Sequence, residues 1–233
     1  MARQVPWPRI FAEGLAIVVS ILLAFGIQAW WEERDDAIRR LAVLEGLRGD
    51  FVATREDFDR VSAFHQVSLS AAGSLMELGE DGPIDEADAA LADSLFSLTM
   101  LGGSFDPPLG TLAGLLSSGD LDLMDDPELT VYLTSFQALV ADLDREQRFM
   151  RELFLEVHRY LVSIGRGSEV SLGNPYWDPP WRLTTDGIAT VVHVPGFRTW
   201  ISQLWAVYGN MTDDHAEIEA RLAQIEARLA AIR

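Results

Sequence analysis

The residues best suited to chemistry form an acidic cluster near the middle of the chain. Its members are Asp120, Asp122, Asp125, Asp126 and Glu128. A calcium loop of the EF-hand type needs oxygen ligands at alternate positions and glycine at the sixth. Counted from Asp120, the fifth position is Met124 and the sixth is Asp125, so the pattern excludes such a loop. We therefore predict no metal site here and expect Asp126 to cap a helix.

Nucleophilic and imidazole chemistry have equally little support. The four histidines, His65, His158, His193 and His215, are scattered and have no neighbours at ligand spacing. His215 falls on a heptad seam, which indicates a core or interface imidazole. Ser117-Ser118-Gly119 lacks the Gly-x-Ser-x-Gly elbow of hydrolases and is typical of a helix end. We predict no catalytic residue, no cofactor and no enzyme activity.

Composition removes further classes of protein. The chain has no Cys and no Lys, which excludes disulfides, thiolate chemistry, Walker phosphate loops and Schiff bases. A net charge of −18 argues against nucleic acid as a partner. Between residues 61 and 144 there are 15 acids and no Arg or Lys. This stretch is either a solvated surface or a surface that attracts a basic periplasmic partner.

The start of the chain predicts a transmembrane helix over residues 10–31. The run from Ile10 to Trp30 is apolar or small except for one Glu and one Gln, and it is long enough to cross a bilayer of about 30 Å. Trp7, Trp30 and Trp31 flank the run, where indoles prefer the membrane interface. A signal peptide is the alternative, but signal cores are shorter and end at small residues.

One face of this predicted span indicates packing against other helices. Small or amide residues recur every fourth position, namely Ala12, Ala16, Ser20, Ala24 and Gln28. Such a row lets a neighbouring helix approach closely in lipid. Glu13 lies in the same span, and an acid there faces a partner, water or the interface. The expected partners are the lipid bilayer and other integral-membrane subunits.

The flanking charges predict the orientation. Arg3 and Arg9 precede the span without any acid, and acids dominate directly after it. The positive-inside tendency then gives residues 1–9 as a short cytoplasmic tail and residues 32–233 as a periplasmic domain. The expected location is the bacterial inner membrane.

The remaining chain predicts an all-α domain. The first helix continues to about Leu78, Asp85 caps a second helix, a short helix covers Leu109 to Ser118, and a long one starts at Asp126-Pro127 and ends near Gly165. Residues 188–194 have strand-like composition, and the last helix covers 196–232. These lengths predict an elongated antiparallel bundle that continues from the transmembrane helix.

A Pro- and Trp-rich irregular loop interrupts this pattern at residues 175–181. Tyr176, Trp177 and Trp181 lie in this stiff loop, and large aromatic side chains make good interface anchors. Either these three residues contact a partner protein, or the loop folds back over the open end of the bundle.

Two segments together resemble an uncharacterised group of small bacterial single-pass membrane proteins. The first has an acid, an Ile/Val-rich span and an Ile-x-x-Trp-x-Glu exit: Glu13-Gly14-Leu15, Ile21, Ala24, Ile27-Gln28, Trp30 and Glu32-Glu33. The second has a Thr…Leu…Ser-Gly-Asp-Leu signature: Gly110-Thr111, Leu115 to Leu121, Leu123-Met124, Leu129 and Leu133. The chain also resembles, without a motif of its own, an accessory subunit of photosynthetic reaction-centre and antenna complexes. The resemblance implies architecture and no activity.

The sequence thus favours a non-catalytic, membrane-anchored accessory or scaffolding subunit that docks on a larger integral-membrane complex and stabilises it. The alternative is a periplasmic ligand-sensing or adaptor module that relays to another membrane protein.

Overall fold

The computed structural model describes residues 7–165 and 187–232, and the side chains of residues 7–14 and of Ala16 lie outside the described part. Five α-helices account for most of it: α1 (Trp7–Leu78), α2 (Ala89–Thr99), α3 (Gly110–Ser118), α4 (Pro127–Ser163) and α5 (Pro195–Ala231). Short 3-10 helices cover Asp120–Met124 and Ile188–Thr190. The predicted all-α class is confirmed for this part of the chain. Within it, no helix is both long enough and apolar enough for a bilayer crossing.

The helices form an antiparallel bundle with four positions. Arg48 near the start of the packed part of α1 contacts the end of α5, and Arg198 at the start of α5 donates to the Met76 carbonyl near the end of α1 (2.7 Å). Thus α1 and α5 run in opposite directions. Arg228 near the end of α5 contacts Asp126 at the start of α4, so this pair is antiparallel too.

The second position of the bundle is a broken helix. It consists of α2, an irregular stretch at residues 100–109 and α3, which follow one another along α1. Ser68 on α1 contacts Leu98, whereas Asp50 on α1 contacts Thr111, so the whole position runs antiparallel to α1. We call residues 100–109 the crossing segment.

The helix ends follow the sequence closely at the base of the bundle. Gly119 ends α3 in the left-handed conformation (φ 78°), which glycine adopts without steric cost. The carboxylate of Asp126 accepts from the backbone N–H of Leu129 (3.0 Å), and Pro127 is the first residue of α4. The predicted ends of these helices are confirmed, because caps act through the nearest turn only.

Two local predictions were wrong. The second helix begins at Ala89, and its N-cap residue is Asp88 without a side-chain cap bond, so Asp85 does not cap it. Residues 188–190 form a 3-10 helix where a strand was expected. Ile188 and Val192 are buried in the core, and this burial accounts for their apolar side chains without any strand partner.

The core runs the length of the bundle from Leu44 to Leu75 of α1. The Phe51 ring on α1 meets the Phe136 ring on α4 edge to face, with centroids 5.3 Å apart. The heptad seam predicted on α5 is buried against α1 and α4: Met211, His215, Ile218, Leu222, Ile225 and Leu229. Burial of this seam is what holds α5 between its two long neighbours.

Candidate functional site

The first candidate site is the part of α1 that extends beyond the bundle. Along α1, the first buried residue among those described is Leu44. We call residues 15–39 the projecting segment; at about 1.5 Å per residue it extends for about 37 Å. Its large apolar side chains are exposed on every face: Leu15, Ile17, Val18, Val19, Ile21, Leu22, Leu23, Phe25, Ile27, Trp30, Trp31 and Ile38.

The small-residue row predicted for packing lies partly on this segment. Ser20, Ala24 and Gln28 share one face of α1, and all three are exposed. The Gln28 amide donates to the Glu32 carboxylate one turn on (2.9 Å). The side chains of Trp7, Ala12, Glu13 and Ala16 lie outside the described residues.

Of the aromatic residues predicted for interfaces, some have described side chains and others do not. The rings of Trp30 and Trp31 meet edge to face, with centroids 5.3 Å apart, and both are exposed. Tyr176, Trp177 and Trp181 lie outside the described residues, so the two interpretations of their loop stay open.

The acidic cluster does not converge on one point. Asp126 is held by the Arg228 guanidinium through two hydrogen bonds (2.7 and 3.0 Å), which hold the pKa of this carboxyl below its usual value, together with the Leu129 N–H. Asp120 pairs with Arg39 (3.0 Å), and Asp125 lies 3.8 Å from Arg40. In the described ranges, no three His, Asp or Glu side chains are arranged to hold a metal ion.

These ion pairs tie the base of the bundle together. They join the start of the packed part of α1 and the start of α4 to the turn at residues 119–126 and to the end of α5. Arg48 adds to them, since its guanidinium donates to the carbonyls of Leu229 (2.9 Å) and Ile232 (2.6 Å). Asp120, Asp125 and Asp126 thus act as partners of arginine.

The second candidate site is a buried polar cluster around the crossing segment. A break in a helix frees backbone groups that must find other partners inside a protein. Side chains of the neighbouring helices supply them at the end of α2. Ser68 donates to the Leu98 carbonyl (2.9 Å), and the Tyr208 hydroxyl donates to the Thr99 carbonyl (2.8 Å).

Two carboxylates and an amide accept hydrogen bonds from backbone N–H groups between Phe105 and the first turn of α3. The Gln147 side-chain oxygen accepts from the Phe105 N–H (3.2 Å). The carboxylate of Asp57 accepts from the Asp106 N–H (3.2 Å), and that of Asp50 accepts from the Thr111 N–H (2.7 Å). Asp50 and Asp57 of α1 therefore provide acceptors for backbone N–H groups of the broken helix.

Glycine accounts for the position of the break. Gly102 has φ 59°, and a Cβ there would lie 2.9 Å from the Phe154 ring on α4. Both the left-handed backbone and the close ring disfavour any larger residue. Pro107 and Pro108 disfavour helical backbone in the residues directly before them, and α3 begins at Gly110.

Two histidines lie at the centre of this cluster. The His65 Nδ1 of α1 is 3.1 Å from the His215 Nε2 of α5, and the His65 Nε2 is 3.1 Å from the Gly103 carbonyl. The two ring planes differ by 10° and their centroids are 5.1 Å apart. The two rings are thus nearly parallel, and the separation of the two nitrogens is that of an N–H···N hydrogen bond.

Burial disfavours charge on these groups. It lowers the pKa of His65, and it lowers the pKa of His215 to about 4, with the His65 ring as a second cause. Burial also raises the pKa of Tyr208, whose ring centroid is 5.9 Å from that of His65. Both imidazoles are neutral at neutral pH. Because they are enclosed by the core, they do not form a site that a substrate reaches.

The spacing of the histidines along the sequence does not indicate that His65 and His215 are neighbours. They are 150 residues apart, and only the antiparallel pairing of α1 with α5 brings them together. The one available signal was that His65 and His215 both fall on apolar helix faces.

A further concave feature is a groove beside α2. It has a volume of about 640 Å³, and its walls include Ile84, Asp93, Ala189 and His193. Its size is that of a small-molecule site. The Asp93 carboxylate, however, already accepts from the Ile188 N–H (2.8 Å).

Comparison with known proteins adds no relationship: no protein-family model, no curated protein and no solved structure matches this chain. The resemblance drawn from the two sequence segments therefore stays a prediction.

Proposed function

We propose that this protein is a non-catalytic, membrane-anchored accessory subunit. The N-terminal part of α1 enters the bilayer, and the bundle contacts and stabilises a larger integral-membrane complex. The observation that carries the proposal is the projecting segment, whose apolar side chains are exposed on all faces of one continuous helix.

The physical argument concerns what can cover such a helix. A helix that packs on one protein surface needs an apolar stripe, whereas a helix apolar all round is covered on all sides. Full burial of one large aliphatic side chain contributes about 1.5–3 kcal/mol. Covering all of these side chains would therefore contribute more free energy than the stability of a typical domain. A bilayer covers every face at once.

Charges favour one orientation. Arg3 and Arg9 precede the apolar run, and Glu32, Glu33 and Asp35 follow it. The proposed topology is a cytoplasmic N-terminus and a periplasmic bundle in the bacterial inner membrane. The helix α1 continues without a break from Trp7 to Leu78, so the bundle would be held at a fixed distance from the membrane.

The partner is proposed from the face that carries Ser20, Ala24 and Gln28. Small side chains on this face allow a second transmembrane helix to approach closely. The resemblance to an accessory subunit of photosynthetic reaction-centre and antenna complexes makes such a complex the first to test. A basic periplasmic partner of the acidic stretch at residues 61–144 is a further candidate.

Membrane attachment is tested with a charge in the projecting segment. Leu22→Arg places a cation in the middle of the proposed span, where insertion of Arg costs about 2.5–3.5 kcal/mol. We expect a large part of the full chain to move from the carbonate-washed membrane fraction to the soluble fraction. Leu41→Arg is the control, because this exposed side chain lies outside the proposed span. Retention of both variants in the membrane would contradict the anchor.

Helix packing is tested with two variants that add the same atoms to different faces. Ala24→Leu enlarges the small-residue face, and Ala29→Leu lies about 140° away on the same helix. We expect Ala24→Leu to reduce the recovery of co-purified membrane subunits severalfold after mild detergent extraction, with Ala29→Leu unchanged. Equal recovery of partners with both variants would contradict a helix partner on this face.

A further inference from the structure

The hydrogen-bond chain through the two histidines fixes where their protons lie. The Gly103 carbonyl only accepts, so the His65 Nε2 carries a proton and donates to it (3.1 Å). In a neutral ring the His65 Nδ1 is then an acceptor, and the His215 Nε2 must donate to it (3.1 Å). This leaves the His215 Nδ1 as a bare acceptor, and it is buried without a hydrogen-bond partner among the described residues.

We propose that this pair is an acid-released latch between α1, the crossing segment and α5. An added proton can bind to the neutral histidine pair only at the His215 Nδ1, because each of the other three ring nitrogens already donates or accepts a hydrogen bond. The resulting imidazolium would have an N–H without an acceptor in a site closed to water. Protonation therefore favours any state in which His215 reaches water, which requires α5 to separate from His65 and Phe58 on α1. The proposal does not depend on membrane attachment.

Among the described residues, no carboxylate is bonded to either ring of the pair. On α1 the Phe58 ring meets His215 edge to face, with centroids 5.6 Å apart, and on α5 Tyr208 donates to the Thr99 carbonyl. The nearest acid in sequence is Asp214, whose pKa is raised by burial and by Glu146 and Asp142 of α4. That carboxyl acts in the opposite direction, since a raised pKa in the folded state favours folding as the pH falls.

The direction of the pH effect follows from linkage. A His pKa of about 4 in the folded chain against 6.5 in the unfolded chain means that the open state binds protons first. The contribution of the pair to stability is complete above pH 6.5 and is lost as the pH falls from there towards 4. From His215 alone, the opening equilibrium should increase about 30-fold between pH 7.5 and pH 5.

The absence of cysteine from the chain allows a local test. Met211→Cys places one thiol in the core one helical turn from His215, and Leu133→Cys places one in the buried base of α4. The reaction of each thiol with dithiodipyridine is measured in the full chain at both pH values and divided by the rate in denaturant. We expect protection at position 211 to fall about 30-fold at pH 5, and protection at position 133 to change less than threefold.

Three further variants test whether His215 causes the loss of protection at position 211. His215→Gln keeps a donor for the His65 Nδ1 but takes up no proton, so it should remove most of the change at position 211. His158→Gln, on a half-exposed part of α4, should leave it intact, and Asp214→Asn should enlarge it. Unchanged protection at pH 5, or equal loss at positions 211 and 133, would overturn the latch. The comparison of the two thiols is decisive even if His215→Gln fails to fold.

Discussion

The projecting segment and the packed part of α1 are the same helix in two different environments. The described side chains of residues 15–39 are exposed, and those before Glu32 include apolar side chains on every face, whereas residues 44–78 bury one face and expose a charged one. Phe25 is 64% exposed and Phe51 is 1% exposed, although both are phenylalanines on one unbroken helix.

The difference shows that helix formation and helix burial have separate causes. Both parts consist of residues with adequate helix propensity, so the backbone continues from one to the other. Only the arrangement of apolar residues around the axis distinguishes a helix that needs one protein neighbour from a helix that must be covered on all sides. The boundary lies at residues 39–48, where the arginines contact the base of the bundle.

The largest effect expected from this comparison comes from the two phenylalanines. Phe51→Ala removes a ring that packs against Phe136 in the core, and such truncations cost about 3–5 kcal/mol. Phe25→Ala should leave the free energy of unfolding of the bundle unchanged within about 0.5 kcal/mol. Denaturant unfolding of the full chain in mild detergent, followed by circular dichroism, measures both.

The same two variants can also contradict the distinction between the projecting segment and the packed part of α1. Equal destabilisation by Phe25→Ala and Phe51→Ala would mean that the projecting segment packs on the bundle. The proposed anchor would then lose its main support.

A smaller effect is expected at the boundary itself. Arg48→Ala removes the donors to the Leu229 and Ile232 carbonyls at the end of α5, which should cost about 1–2 kcal/mol. Arg39→Ala removes only a pair with Asp120 that is largely exposed, so we expect at most about 1 kcal/mol. The same unfolding measurement compares them, and a greater loss with Arg39→Ala would move the boundary towards the N-terminus.

Much of the fold was predictable because its signals are local. Gly119 ends α3, Asp126 and Pro127 begin α4, and α1 ends at Leu78 as the Gly-rich turn after it predicts. The errors at Asp85 and at residues 188–194 arose where apolar or capping residues serve distant contacts. A composition typical of strands only requires burial, and burial here comes from the core near α2.

The two candidate sites also differ in whether they depend on local signals or on distant contacts. The projecting segment could be found from composition alone, since a run of apolar residues needs no knowledge of the rest of the chain. The polar cluster could not, because Ser68, Gln147 and Tyr208 are ordinary residues on three different helices. They act as hydrogen-bond partners only because they lie beside the interrupted helix formed by α2, the crossing segment and α3.

The amino-acid sequence by itself determined the long helices, the Gly119 and Asp126 caps and the apolar N-terminal run, because these depend on neighbours within one or two turns. Only the tertiary structure decided that α2 and α3 form one broken position and that His65 lies against His215. Such pairings depend on how long helices align over many residues, and no local preference encodes that alignment. The buried histidine pair is therefore a property of the assembled bundle.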